Sequence, residues 1–277
     1  MKGRVLIVAG SDSGGGAGIQ ADIKAVTALG AYAATAVTAL TAQDTRGVRA
    51  VLPVPLDFLQ LQIRMSLEDI GADCIKTGML ADAATIDAVC DALAGCGVKL
   101  VADPVMVAKG GARLLEPGAV ETLKRRLMPL ATILTPNLPE AEVLSGMSIP
   151  DAETMEHAAE VLMTLGVPAV LLKGGHLDGP VVRDVLATED GLEVFESPRI
   201  DTPHTHGTGC TLASAIAAGL AQGMGLRDSV VRARAYVEAA IRSAPGYGHG
   251  HGPLDHAVTV DPARLAGLGQ GGLRPGG

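Results

Sequence analysis

Short apolar runs alternate with longer amphipathic stretches along nearly the whole chain. Continuous runs rich in Val, Ile and Leu predict strands at 5–9, 34–40, 74–76, 99–102, 132–135, 169–172 and 182–187, as expected for strands covered on both faces. Helical spacing of apolar positions predicts helices over 18–29, 56–70, 83–94, 120–128, 139–145, 152–165, 211–222 and 226–243. This alternation implies an α/β fold, a mainly parallel central sheet between two helix layers. Ligands of such sheets sit at the carboxyl ends of the strands. The polar or Gly-rich segments 10–18, 41–45, 77–80, 103–111, 136–140, 174–176 and 201–210 all fall at that edge. Their convergence points to a site more strongly than any one of them.

Composition narrows the class. With 277 residues and 48% apolar side chains, the chain can bury one sizeable core. Only 2% are aromatic, so that core is built mostly from Ala, Val, Leu and Ile. No repeat or linker divides it, which predicts a single domain over 1–260 and a flexible Gly/Pro-rich tail over 261–277. The net charge of −8 argues against a nucleic-acid partner. Anionic nucleotides would then need local positive potential from backbone amides, a few lysines and a metal ion. No apolar run approaches the roughly 18 residues that span a bilayer, so no membrane partner is expected. The first run, 5–9, is too short for a secretion signal and reads as a buried strand. Cys74, Cys90, Cys96 and Cys210 form no CxxC pair, which fits a reduced cytoplasmic protein without a zinc site.

Five motifs carry the chemistry. Gly207, Thr208, Gly209 and Cys210 lead into a small-residue helix. The glycines leave room for a phosphate, and unpaired amides at a helix start favour developing negative charge. Cys210 lies where the helix dipole lowers a thiol pKa, so it is a candidate general base. Its bland alternative is an inert core cysteine. His204 and His206 are read as local structural residues. The segment 135–140 is either a helix cap, with Pro139 in the first turn, or an Asn137/Glu140 pair that holds Mg²⁺ through water. Asp103 follows a buried strand and points to the ligand edge, and Lys109 lies on a Gly-flanked loop able to close over a phosphate. Lys173 ends a strand beside two glycines, placed for a nucleotide phosphate or simply snorkelling. The turn 10–18 is not a P-loop; Gly16, Gly18 and Ala21 fit a loose dinucleotide fingerprint, which alone is weak.

Taken in order, AGSDSGGGAGIQADIK, TALTAQ, KTGML, DPVMVAKGG, LTPNLPEAE, LLKGGH and DTPHTHGTGC resemble the hydroxymethylpyrimidine/phosphomethylpyrimidine kinases of thiamine biosynthesis, in the ribokinase-like superfamily. The likeness spans about 5–258. It implies two successive MgATP-dependent phosphorylations, of 4-amino-5-hydroxymethyl-2-methylpyrimidine and then of its monophosphate. It implies that Gln43 reads the pyrimidine, with Gly10, Asp12, Ala17, Met79 and Val105 around it. Lys173, Asn137, Thr208 and Lys109 would meet the nucleotide; Asn137, Glu140 and Asp103 would serve the metal; Cys210 takes the catalytic position. A homodimer is also implied. Asp44 stands where an Asn is expected, an acid near the pyrimidine pocket, and Ala112 where a polar residue is expected. Rival readings are a pyridoxal kinase of the same superfamily, an NAD-dependent oxidoreductase using Gly16 and Gly18, and a non-catalytic sensor.

Overall fold

The computed structural model describes residues 2–108 and 110–261. Lys109 and positions 262–277 of the expected tail lie outside them. The main sheet has eight strands: β1 (Arg4–Ala9), β2 (Tyr32–Val37), β5 (Cys74–Thr77), β6 (Lys99–Ala102), β7 (Ile133–Leu134), β8 (Ala169–Lys173), β9 (Val181–Thr188) and β10 (Gly191–Pro198). Their order is β10-β9-β8-β7-β6-β5-β1-β2. The pairs from β2 to β8 are parallel, and β9 and β10 close one edge antiparallel. The mainly parallel reading holds.

β1 shows why the inner strands are unbroken apolar runs. Leu6 and Val8 enter one buried cluster while Val5, Ile7 and Ala9 enter the other, because successive side chains point to opposite faces. The first cluster packs under α2 (Leu56–Met65), α3 (Ala83–Leu93), α5 (Leu138–Ser145) and α6 (Ala152–Met163). The second packs under α1 (Gly18–Ala28), α7 (Thr208–Ala221) and α8 (Leu226–Arg242). Each fully buried Leu, Ile or Val contributes about 1.5–3 kcal/mol, so two continuous layers suffice without tryptophan.

Three expectations change. The run 34–40 is not one strand: β2 ends at Val37, and Ala39 begins β3 (Ala39–Asp44), which pairs with β4 (Gly47–Pro53) in a separate hairpin. Thr38 sits at the break, its amide donating to the Ala9 carbonyl and its hydroxyl to the Met79 carbonyl. The segment 41–45 is therefore largely strand. β10 has no counterpart among the predicted strands, because its partly covered positions, Glu193, Phe195 and Ser197, alternate with exposed ones and form no apolar run. Between 119 and 130 the predicted helix is a short α4 (Ala119–Thr122) continued by a π-helical turn (Leu123–Leu127) and a 3-10 turn (Met128–Leu130).

Candidate active site

β1, β5, β6 and β8 run out into Gly10, Gly78, Asp103 and the Lys173–Gly175 segment, and Gly10, Gly78, Asp103, Lys173 and Gly175 line one trench of about 1090 Å³ with the start of α7. The trench also takes in Gln43, Lys76, Met79, Val105, Asn137, Glu140, Lys173, His206 and residues 207–210. Every described residue expected at the site, from Gly10 to Cys210, lies along it.

The start of α7 is set by Gly207, whose φ is +80°. A Cβ there would lie 1.8 Å from the Gly16 carbonyl oxygen, so the close approach of the two loops requires glycine. The Thr211 amide already uses the Gly207 carbonyl, while those of Gly209 and Cys210 have no backbone acceptor among the described residues. Two free amides on a helix axis form an anion-binding end.

Cys210 departs from its sequence reading in one respect. Burial pushes its thiol up to about 11, and the opposing pull of Lys76 does not restore it. The Gly18 backbone beside the thiol pulls the same way as Lys76, more weakly. Desolvation outweighs the helix terminus, so the thiol is protonated at neutral pH. Cys74 and Cys90, pushed up to about 12 and about 11 by burial, take the inert role expected of them.

At the other flank of the α7 start, Lys173 Nζ lies 3.0 Å from Asp103 Oδ1. Asn137 and Glu140 form a reciprocal capping box: Asn137 Oδ1 accepts from the Glu140 amide at 2.9 Å, and Glu140 Oε2 from the Asn137 amide at 2.8 Å. The cap reading of this motif is thus realised. Burial pushes the Glu140 carboxyl up to about 7; Lys173 opposes this and Asp103 adds to it. This has a consequence for stability. The folded pKa lies above the ordinary value, so the bound proton stabilises fully below about pH 4.5, and that contribution is lost as pH rises through 7. Glu140→Gln keeps the cap and removes the buried charge. It raises the melting temperature by a few degrees at pH 8 and by little at pH 5. Equal melting temperatures at pH 8 would show that Glu140 ionises freely.

The turn 10–18 serves a different purpose from dinucleotide binding. Asp12 Oδ1 accepts from the Gly14 amide, and Oδ2 from those of Gly16 and Ala17 and from His206 Nε2 at 2.9 Å. Burial works to raise the Asp12 carboxyl, but His206 and these amides hold it below its ordinary range. The loop's amides are therefore spent on Asp12 rather than offered to a pyrophosphate. Gly18, with φ +55°, packs where a Cβ would meet the Gly10 carbonyl at 2.4 Å. Gln43 lies 3.3 Å from His206 Nε2 through its amide nitrogen. His206 is the residue sequence reasoning undervalued: 194 positions separate it from Asp12, and no local pattern signals the contact. Asp44 does not reach into the pocket. Its carboxylate accepts from the Arg46 and Gly47 amides and meets Arg49, closing the β3/β4 turn.

An open α/β sheet that gathers an anion-binding helix start and a half-buried lysine at its carboxyl edge, superposing on a solved small-molecule kinase, defines a ribokinase-like small-molecule kinase. The family model described as phosphomethylpyrimidine kinase matches residues 12–255, and the chain belongs to that family. It is 53% identical over 264 residues to the thiamine biosynthesis bifunctional protein ThiED of Geobacter sulfurreducens, covering 95% of this chain but only 54% of that longer protein. It is 45% identical to the hydroxymethylpyrimidine/phosphomethylpyrimidine kinase of Streptomyces coelicolor, covering 92% of this chain and 95% of the relative. Among solved structures, the ADP complex of Bacillus subtilis pyridoxal kinase superposes with a TM-score of 0.88 at 37% identity, over 94% of this chain and all (100%) of that one. The phosphomethylpyrimidine kinase of Clostridium difficile superposes at 0.78 with 40% identity, over 87% and 100%.

Proposed function

We propose that the chain transfers the γ-phosphoryl group of ATP to the hydroxymethyl group of 4-amino-5-hydroxymethyl-2-methylpyrimidine, and then a second one to the monophosphate, giving the diphosphate for thiamine biosynthesis. One observation carries this reading. The free amides at Gly209 and Cys210 lie between two differently built halves of a single trench, Lys173 with Asp103 and Glu140 on one side and Gln43 with His206 on the other. The first half suits nucleotide phosphates, with Thr208 and Lys173 nearest the transferred group. The second suits a heterocycle with hydrogen-bonding edges, packed between Met79 and Val105 and the backbone from Gly10 to Ala17.

In the first step the acceptor is a neutral hydroxyl. Cys210, as thiolate, takes its proton while the oxygen attacks the γ-phosphorus and the bond to the β-phosphate oxygen breaks. In the second step the acceptor is already an oxyanion, so positioning and charge screening suffice. The donor set fits magnesium. A carboxyl held near neutrality by burial and by Asp103 gains most from a nearby cation, and Asn137, Glu140 and Asp103 offer the oxygens a hard ion prefers, partly through water. Magnesium would supply charge neutralisation on the phosphates. We place the enzyme in the cytoplasm, in keeping with its four free cysteines. We assign the exposed apolar side chains of Leu40, Leu52, Phe58, Leu61 and Met65, on the β3/β4 hairpin and α2, to a homodimer interface.

The test is incubation with the pyrimidine alcohol and MgATP, with mono- and diphosphate followed by mass and the protein sized by sedimentation. Both products and a dimer are expected. A single phosphorylation or none overturns the two-step reading. A second reading, pyridoxal kinase, is favoured by the superposition on the Bacillus subtilis enzyme. Comparison of kcat/KM on the two alcohols decides between them.

A further inference from the structure

A fully buried ion pair lies below the site. Lys76 and Asp22 are both 0% exposed, and Lys76 Nζ sits 2.9 Å from each carboxylate oxygen of Asp22. The Ser214 hydroxyl donates to Asp22 Oδ1 at 2.7 Å. Nothing in the fold demands a charge there: Lys76 interrupts a strand whose other three members are buried uncharged residues. Taking two charges out of water is costly, and an apolar replacement is often no less stable, so a buried pair is weak evidence of a stabilising role. Its position is informative instead. Ser214 follows Cys210 by four residues on α7, which puts the two side chains on one helix face a turn apart. Lys76 also lines the trench with Cys210, and a Cβ at Gly78 would lie 3.0 Å from its ammonium. The charged groups facing Cys210 are Lys76 from β5, Asp22 from α1, Asp103 beyond β6 and Lys173 from β8. Of these, Lys76 opposes the burial of the thiol most strongly, and Asp22, Cys210 and Asp103 outweigh burial to keep it an ammonium.

We propose that Lys76, clamped by Asp22 and Ser214, is a positioning residue for phosphoryl transfer: the fixed counter-charge against which the Cys210 thiolate forms before it accepts the proton of the hydroxyl acceptor. The thiol first releases its proton to solvent. The resulting thiolate, paired with Lys76, then takes up the alcohol proton as the new oxygen–phosphorus bond forms. This rests on the reading of Cys210 as base.

The test uses a Cys96→Ser background, which removes the exposed cysteine. Lys76→Met/Asp22→Asn removes both charges together and avoids stranding a buried carboxylate. Alkylation of Cys210 by iodoacetamide is followed from pH 7 to 10.5, with both phosphorylation rates. The expected result is alkylation slowed about tenfold at pH 9, one unit of thiol pKa, with the first phosphorylation slowed by a similar factor. The second phosphorylation and the KM for MgATP hold. Ser214→Ala, a milder change, shifts the same quantities in the same direction and serves if the double variant does not fold. An unchanged alkylation profile, or parallel loss of both phosphorylations, overturns the proposal. The Cys210 reading is checked separately by Cys210→Ala. If that variant is selective for the first step and the Lys76 variants are not, only the role of Lys76 fails. If it is not selective, the base reading fails and this proposal with it.

Discussion

Cys210→Ala slows the first phosphorylation by about a hundred- to a thousandfold and leaves the second within about threefold of the parent rate. The asymmetry follows from the acceptors. An alcohol must lose its proton during attack, whereas a phosphate monoester, with a second pKa near 6, is already ionised at pH 7.5. The pH dependence sharpens the prediction. The thiol is pushed up to about 11, so the thiolate fraction rises about tenfold per unit between pH 7 and 10. The first rate climbs with it, and the second stays flat above pH 7. Quenched-flow measurement of both products across this range is the check. Equal loss of both steps, or a first step flat from pH 7 to 10, removes Cys210 from the proton's path.

Much of this site was legible in the sequence because its members end strands, and strand ends announce themselves. A polar or glycine residue after an unbroken apolar run, as at Gly10, Asp103 and Lys173, marks the ligand edge before any fold is known. Two kinds of information were not legible. One is contact between distant loops: the meeting of His206 with Asp12 and Gln43 depends on how β1, β3 and the α7 start come together. The other is the balance of opposing forces on one group. A cysteine at a helix start suggests a lowered pKa, yet the depth of burial, known only in three dimensions, reverses the sign. Lys76 stands between these cases. Its place in the predicted strand 74–76 was readable, but nothing local marked its charge as buried and paired, because its partners Asp22 and Ser214 come from two helices far apart in sequence. The hairpin of β3 and β4 was missed for a simpler reason: β4 is largely exposed, and its short apolar stretch from Ala50 to Leu52 follows a charged residue and ends at Pro53, so it does not read as a strand.

Gly207→Ala abolishes both phosphorylations together, by about a thousandfold or more. Two costs combine at this position. An alanine at φ +80° sits in the left-handed region, at a cost of about 1 kcal/mol. Its Cβ also meets the Gly16 carbonyl at 1.8 Å, with the carbonyl carbon at 2.8 Å, and a backbone group cannot yield as a flexible side chain can. The two loops must part. Parting pulls His206 from Asp12, which organises the 10–18 turn, and turns the amides of Gly209 and Cys210 away from the trench. Loss of one well-aimed donor costs about 10²–10³ in rate, and here two donors move with the groups flanking them. Both steps use those amides, so the selectivity seen with Cys210→Ala is absent. Gly118→Ala is the control: its φ is −66° and nothing lies within 4 Å of a Cβ there. That variant keeps both rates and the melting temperature. Steady-state assays of the two variants, with circular dichroism to confirm folding, settle the matter, and a Gly207→Ala enzyme within threefold of the parent would show that the loops do not need this contact.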